Sequence, residues 1–470
     1  MAIYFAIWSW FCGLFRPRIR ERNASRSKHA WPPPKPNESP VVRSPWLNSA
    51  HNLGLALVIA ATWVAMEWLR SWVFSGWGWN GLGIARHSYW PIIQIAEFTG
   101  VAGISFVIAF ANVIAVCSVR RFILETKARQ MRPHYDLTLT MAAVVGLFAY
   151  GFQAMQVRQP ATKLRVSLVQ ANVSREEKFD AQFAYQIFSQ FSRLSQMALQ
   201  SNPRPELIVW PESSMPGPIL QDEASYNFVM AFAERTKVDL LLGAIDQDEN
   251  HAYNAALLVT EGGRRTQLYR KLHLVPYGEY IPERNSVPLL ARIIGDQVPA
   301  DFDAGTDYTV FRLTNNAVRV APLICFEDTI GELTRRFIIK GANLLVNVTN
   351  DGWFLRSAGS QQHLANAIFR CVETRRPMVR AANTGVTCFV NEFGRVTQTL
   401  VDESGSQFTD GVLSGDVMVP TQGTLTFYAQ HGELFAQCCA GISLFAIVIG
   451  SVLSYRHRRA TSAVEELASA

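Results

Sequence analysis

Hydrophobic and polar positions follow two different rhythms along this chain. Unbroken apolar runs at 53–74, 92–119, 137–155 and 434–453 are long enough to predict membrane-spanning helices, and a shorter apolar, aromatic run fills 2–15. Between 160 and 430 the runs shorten and alternate. Branched apolar stretches at 164–170, 207–210, 240–244, 255–260, 318–324, 343–348, 378–381 and 387–391 predict buried strands. Amphipathic stretches at 181–200, 226–236, 330–339 and 361–374 predict helices between them. Such alternation predicts a layered α/β domain that carries its reactive side chains at strand ends. The expected organisation is a transmembrane region over 1–159, a soluble domain over 160–430, a last span at 434–453 and a tail over 454–470.

Composition sharpens the membrane reading. Of 470 residues, 49% are hydrophobic and only 17% charged, high for a purely soluble enzyme. Trp63, Trp68, Trp72, Trp77, Trp79 and Trp90 crowd around the loop 75–90, as an interfacial aromatic belt would. Glu67 and Arg70 lie three apart on one face of the first long run, a polar pair that a membrane helix keeps for packing or function. The net charge of +6 is local, concentrated at 16–43, 120–132 and 456–459, each next to an apolar run. That placement suits membrane topology and not a nucleic-acid interface, which needs a basic face on a folded domain. With those basic segments in the cytoplasm, loop 75–90 and the whole of 160–430 fall on the other side. The α/β domain is therefore expected outside the cytoplasmic membrane.

Seven cysteines form no CxxC pair, and the chain has no HExxH, no Walker loop and no GxGxxG after a strand. A disulfide framework, a zinc site and a nucleotide cofactor are not expected. Chemistry is expected instead at three strand ends. The run from Val320 to Asp328 delivers Cys325 where a buried strand meets a helical pattern, a position whose helix dipole favours thiolate. Taken alone, a single cysteine there is more often a core residue. The run 207–210 ends in Pro211 and the carboxylate of Glu212, and a Pro/Gly-ordered loop carries Lys271 and Glu279. A cysteine nucleophile needs a base, which a desolvated carboxylate can supply. A lysine and a backbone N–H can stabilise the oxyanion of acyl transfer.

The strings Trp210-Pro-Glu212-Ser, Arg270-Lys271-Leu-His-Leu-Val-Pro, Ile324-Cys325-Phe-Glu and Asn347-Val-Thr-Asn-Asp-Gly-Trp-Phe354 resemble the nitrilase superfamily, whose signature is a Glu-Lys-Cys triad. Together with the apolar runs, Pro276-Tyr-Gly-Glu279-Tyr-Ile-Pro, Gln362-His363 and Arg380-Ala-Ala-Asn-Thr-Gly-Val386 resemble its membrane-embedded branch, the apolipoprotein N-acyltransferases. The resemblance implies an αββα sandwich and transfer of a fatty acyl group from a phospholipid to the N-terminal amine of S-diacylglyceryl-cysteine on an apolipoprotein. The transfer would run through a thioester on Cys325. It also implies Glu212 as base, Lys271 at the oxyanion, and Glu279, Glu327 and Phe326 as further active-site positions, without a cofactor. Phe179, Trp77, Trp79 and Trp353 are the expected contacts to lipid or substrate. A bacterial inner-membrane protein with a periplasmic catalytic domain is implied, acting on the bilayer and not on nucleic acid. Phe179 stands where the family commonly has a functional Trp, and Phe326 where a Tyr is common. The family usually has eight spans, and the first three have no counterpart here, 2–15 resembling the end of the fourth. A membrane-anchored amidase acting on a small amide and a catalytically idle membrane scaffold are the competing readings.

Overall fold

The computed structural model describes residues 6, 8, 9, 44–73, 76, 78–178, 181–282, 301–315, 317–421 and 424–469. The chain forms two compact units, one built from Met1–Trp77, Ala102–Ala149 and Phe435–Ala470, the other from Gly78–Val101 and Tyr150–Leu434.

The first unit is helical. Helices α1 (Pro45–Arg70), α2 (Val101–Lys127) and α3 (Tyr135–Ala154) contribute to it, as does the long C-terminal helix Leu434–Ser469. Each of the four has a stretch long and apolar enough to cross a membrane. Small residues mediate their packing: Ala61 and Val64 of α1 meet Ala436 and Cys439 of the C-terminal helix, and Thr62 donates a hydrogen bond to Ser443 at 3.1 Å. Small side chains let helix backbones approach when lipid offers no hydrophobic drive. Large residues such as Val116, Val119, Phe122 and Leu444 point outward instead. Asp136, fully buried, accepts from Asn52 (2.6 Å), Ser49 (3.2 Å) and Arg121 (3.1 Å), so its charge is matched inside the bundle. Glu67 accepts the indole N–H of Trp63 at 2.8 Å.

One expected span starts elsewhere. The apolar run 92–119 is not one helix: short helical turns at Trp90–Ile93 and Ala96–Thr99 end at Gly100, whose φ is +62°, and the long helix begins only at Val101. Without a Cβ, glycine takes this left-handed conformation freely and breaks the helix. That helix then runs through Arg120 and Arg121 to Lys127, into the stretch expected as a basic loop.

The second unit is an α/β domain with two six-stranded sheets. The first sheet has the order β12-β1-β2-β3-β4-β5, comprising β1 (Ala161–Gln170), β2 (Leu207–Trp210), β3 (Asp239–Gln247), β4 (Ala252–Thr260), β5 (Arg265–Arg270) and β12 (Gly411–Pro420). The second has the order β11-β10-β9-β8-β7-β6: β6 (Phe311–Arg312), β7 (Arg319–Ile324), β8 (Leu344–Thr349), β9 (Met378–Ala382), β10 (Cys388–Val390) and β11 (Val396–Thr399). Read from β12 and from β6, the pairings run in the same series: antiparallel, parallel, parallel, antiparallel, antiparallel. The fold thus repeats one topology twice, although no sequence repeat is visible. β1 touches β9 and β4 touches β7, so the sheets pack on each other.

Helices α4 (Ala184–Leu199) and α5 (Glu223–Thr236) pack on the first sheet; α6 (Gly331–Ile339) and α7 (Gly359–Thr374) accompany the second. Asp222 caps α5 by accepting the Ser225 N–H, and Lys237 closes it in the left-handed conformation. Phe191, Trp210 and Phe232 fill the core between α4, α5 and the first sheet. β2 leads directly into Pro211 and Glu212, β5 into Lys271 and β7 into Cys325, so three strand ends carry the candidate site.

Candidate active site

Cys325 follows β7 in a backbone conformation with φ +51°, the first residue of a short 3-10 turn that ends at Thr329. A non-glycine residue held there is strained, a feature that clusters at functional turns. Asn347 on β8 holds the turn by donating to the carbonyls of Cys325 (3.1 Å) and Leu323 (3.3 Å). Cys325 as a residue is half-buried, and burial pushes its thiol well above its ordinary value. Glu212 pushes further in that direction, and Lys271 and the Thr349 hydroxyl pull back. The expected dipole-stabilised thiolate is therefore not found. No α-helix starts at Cys325, since α6 begins at Gly331, and desolvation dominates. Cys325 rests as a neutral thiol, whose attack needs a base.

Glu212 stands at the end of β2, on a turn clamped from below. Ser213 has φ +46°, and a Cβ at Gly243 would lie 2.4 Å from the Glu212 Cα, so only glycine fits under it. Lys178, buried and missed by the sequence reading, donates its ammonium to the Glu212 carbonyl at 2.6 Å. Burial lowers the Lys178 amine to about 8, against the pull of Glu212 and Cys325. The Glu212 carboxylate is buried as well. Its Oε1 accepts from Asn254 at 2.7 Å, while its Oε2 has no hydrogen-bond partner among the described residues.

Asn254, on β4, joins the two halves of the site. The same amide nitrogen donates to Glu279 Oε1 at 2.6 Å, and Glu279 in turn accepts from Lys271 Nζ at 2.9 Å and 2.7 Å. Lys271 is fully buried just after β5. Burial would pull its ammonium down, but Glu279, Cys325 and Glu212 hold it above its ordinary value and so charged. The loop carrying Glu279 is fixed by its own carboxylate, which accepts the Val275 N–H at 2.8 Å.

Glu327 is saturated with donors. Oε1 accepts from Tyr269 (2.8 Å), the Leu272 N–H (2.8 Å) and the His273 N–H (3.2 Å), and Oε2 accepts the Ile324 N–H (2.9 Å). It ties the backbone around Lys271 to the residue before Cys325. Burial pushes its carboxyl up to about 7, against Lys271 and these donors. Phe326 lies between the rings of Trp79 (6.1 Å, 9°) and His273 (6.0 Å, 23°). Trp79 is buried, donates to Gln362 at 3.1 Å and also packs on Phe354 and His363. Trp353 is largely exposed on the turn after β8. Trp77 and Phe179 lie outside the described residues.

The sequence calls up one site in two halves, and comparison with known proteins gives it a family. Residues 165–423 match the family model described as Carbon-nitrogen hydrolase, and residues 1–114 match that of the Apolipoprotein N-acyltransferase N-terminal domain. An apolipoprotein N-acyltransferase of Geobacter metallireducens is 33% identical over 89% of this chain and 79% of its own. Another, of Methylococcus capsulatus, is 34% identical over 86% of this chain and 75% of its own. The chain belongs to the apolipoprotein N-acyltransferase family. It is an acyltransferase of bacterial membranes, with a nitrilase-type α/β domain and apolar helices.

Behind the Cys325 turn of this family member lies a second buried cluster. His363 Nδ1 is 2.8 Å from Asp351 and 2.9 Å from Arg380, and its Nε2 is 2.9 Å from Asp328. Arg380 bonds both aspartates and Asn347. Burial alone would lower His363, but Asp328 and Asp351 raise it to about 9 against Arg380. Two carboxylates are thus balanced by a guanidinium and an imidazolium, and the cluster reaches Cys325 through Asn347. No group of three His, Cys, Asp or Glu residues among the described ones is arranged to hold a metal ion.

Proposed function

We propose that this protein transfers a fatty acyl group from a phospholipid to the N-terminal amine of an S-diacylglyceryl-cysteine apolipoprotein, through a thioester on Cys325. The observation that carries this reading is Cys325 held on a strained turn, its thiol under the charges of Glu212 and Lys271, in a chain of this family. That Glu212 carboxylate is buried, with one oxygen unpartnered among the described residues. In the first step Glu212 Oε2 takes the thiol proton as sulfur attacks the phospholipid ester carbonyl. The C–O bond breaks, and the proton passes to the leaving lysophospholipid oxygen. In the second step the amine attacks the thioester carbonyl and gives a proton to Glu212. The C–S bond breaks, and that proton returns to sulfur. Lys271, kept charged and aimed by Glu279, stabilises the oxyanion of both tetrahedral intermediates. Glu327 keeps the Lys271 backbone in register with Cys325. Trp353, with Trp77 and Phe179, supplies apolar contact for lipid, and Trp79 supports Phe326 next to the nucleophile.

The same reading places the apolar helices, with Leu434–Leu453 last, across the bacterial inner membrane and the catalytic region 160–430 on its periplasmic side. The tail from 454 then lies in the cytoplasm. The test is a transfer assay with phospholipid vesicles and a synthetic S-diacylglyceryl-cysteine peptide. Lysophospholipid and N-acylated peptide should form together and in equal amounts. Turnover of small amides without either product would replace this reading by that of a membrane-anchored amidase.

A further inference from the structure

Asn254 lies in none of the sequence motifs, yet it joins both halves of the site. Its side chain is buried, and its single amide nitrogen spends both hydrogens on carboxylates, on Glu212 at 2.7 Å and on Glu279 at 2.6 Å. Those two acceptors fix the orientation of the amide, because the flipped form would set its oxygen against two carboxylate oxygens. The amide oxygen, Oδ1, is buried and has no partner among the described residues. Glu212 Oε2, on the neighbouring side chain, is in the same condition. Buried acceptors are ordinarily satisfied, so two open ones on hydrogen-bonded neighbours call for a ligand that brings two donors. An attacking primary amine carries two N–H groups.

We propose that Asn254 Oδ1 and Glu212 Oε2 together form the seat of the acceptor's α-amine. One N–H lies on Glu212 Oε2 and is transferred to it as the N–C bond forms. The other lies on Asn254 Oδ1 and stays on nitrogen, turning the lone pair toward the thioester carbonyl. Asn254 then serves the second half-reaction as an amine-positioning residue, besides anchoring Glu212 and Glu279. This inference rests on the acyl-transfer reading. It predicts which nucleophile the thioester prefers.

Water needs the same base but carries two lone pairs, so it does not depend on a second anchor to aim one at the carbonyl. The amine has a single lone pair to aim, and the partition between transfer and hydrolysis therefore isolates the part played by Asn254. The acyl-enzyme is formed on the full-length protein with phospholipid and then offered diacylglyceryl-cysteine peptide, and N-acyl peptide and free fatty acid are both counted. Asn254→Ala is expected to lower the transfer-to-hydrolysis ratio about tenfold, the size of one charge-assisted hydrogen bond. In the wild-type protein, a peptide whose α-amine is N-methylated has one N–H fewer and should be acylated about tenfold less well. That discrimination should disappear in Asn254→Ala, and the wild-type arm is readable even if a variant fails to fold. An unchanged ratio in Asn254→Ala, or no discrimination against the methylated amine, would overturn the proposal. Absence of any acyl-enzyme in the wild type would instead overturn the acyl-transfer reading itself.

Discussion

Glu212 and Glu327 are both glutamates buried within the same domain, and their surroundings have opposite designs. Glu327 receives four donors and leaves no oxygen idle. Glu212 receives one among the described residues, on Oε1, and Oε2 has none, while its charge acts on a Cys325 thiol that burial already pushes up. A saturated buried carboxylate is a joint: its hydrogen bonds fix backbone segments, and removing it leaves several donors unsatisfied. An unsaturated one is poised for proton transfer, because its lone pair has nothing else to do. The difference between the two lies in partner count, not in residue type or depth.

That contrast can be broken by substitution. Glu212→Gln, nearly isosteric, should slow acyl-enzyme formation about a thousandfold, measured as single-turnover release of lysophospholipid, and leave the melting temperature in detergent unchanged. Glu327→Ala should instead destabilise the domain by about 3 kcal/mol in chemical denaturation, because four donors lose their acceptor at once. Wild-type stability in that variant would show the joint to be dispensable. A smaller, pH-dependent effect belongs to His363. Its folded value of about 9 lies above its ordinary 6.5, so its stabilisation is complete below that ordinary value and is lost as pH rises through about 9. His363→Gln should flatten the alkaline part of a stability-versus-pH curve; an unchanged curve would assign that slope to other groups. Smallest, Tyr269→Phe takes one of the four donors from Glu327 and should cost about 1.5 kcal/mol, with Glu212-dependent chemistry retained.

How much of this could be read from the chain depends on where each residue's partners come from. Central strands announce themselves because both faces are buried and the run stays apolar, as in Leu207–Trp210 and Leu344–Thr349. Edge strands β5 and β11 carry polar residues on an open side, and β12 is diluted by Gly411, Gly415 and Asp416, so none shows an apolar run. Motifs located Glu212, Lys271, Glu279 and Cys325, each beside a proline, a glycine or a strand end. Asn254 and Lys178 escaped, since their partners at 212 and 279 arrive only through tertiary folding. One signal for Asn254 was available: a lone amide at the start of the buried run Asn254–Thr260 of β4 is a polar group that must find partners. For His363 the sequence offered only the Gln362-His363 string, because its two aspartates and Arg380 come from separate turns and strands. The thiolate expectation failed because no α-helix starts at Cys325, the helix beginning only at Gly331, and burial pushes the thiol up.

The central claim is that Cys325 carries the acyl group. Purified protein is incubated with phospholipid of a single acyl composition, and its intact mass is measured before and after hydroxylamine treatment. A fatty-acyl adduct on the wild type that hydroxylamine removes, and that Cys325→Ala never acquires, is the predicted result. The same adduct on Cys325→Ala, or lipoprotein acylation by that variant, would contradict the account.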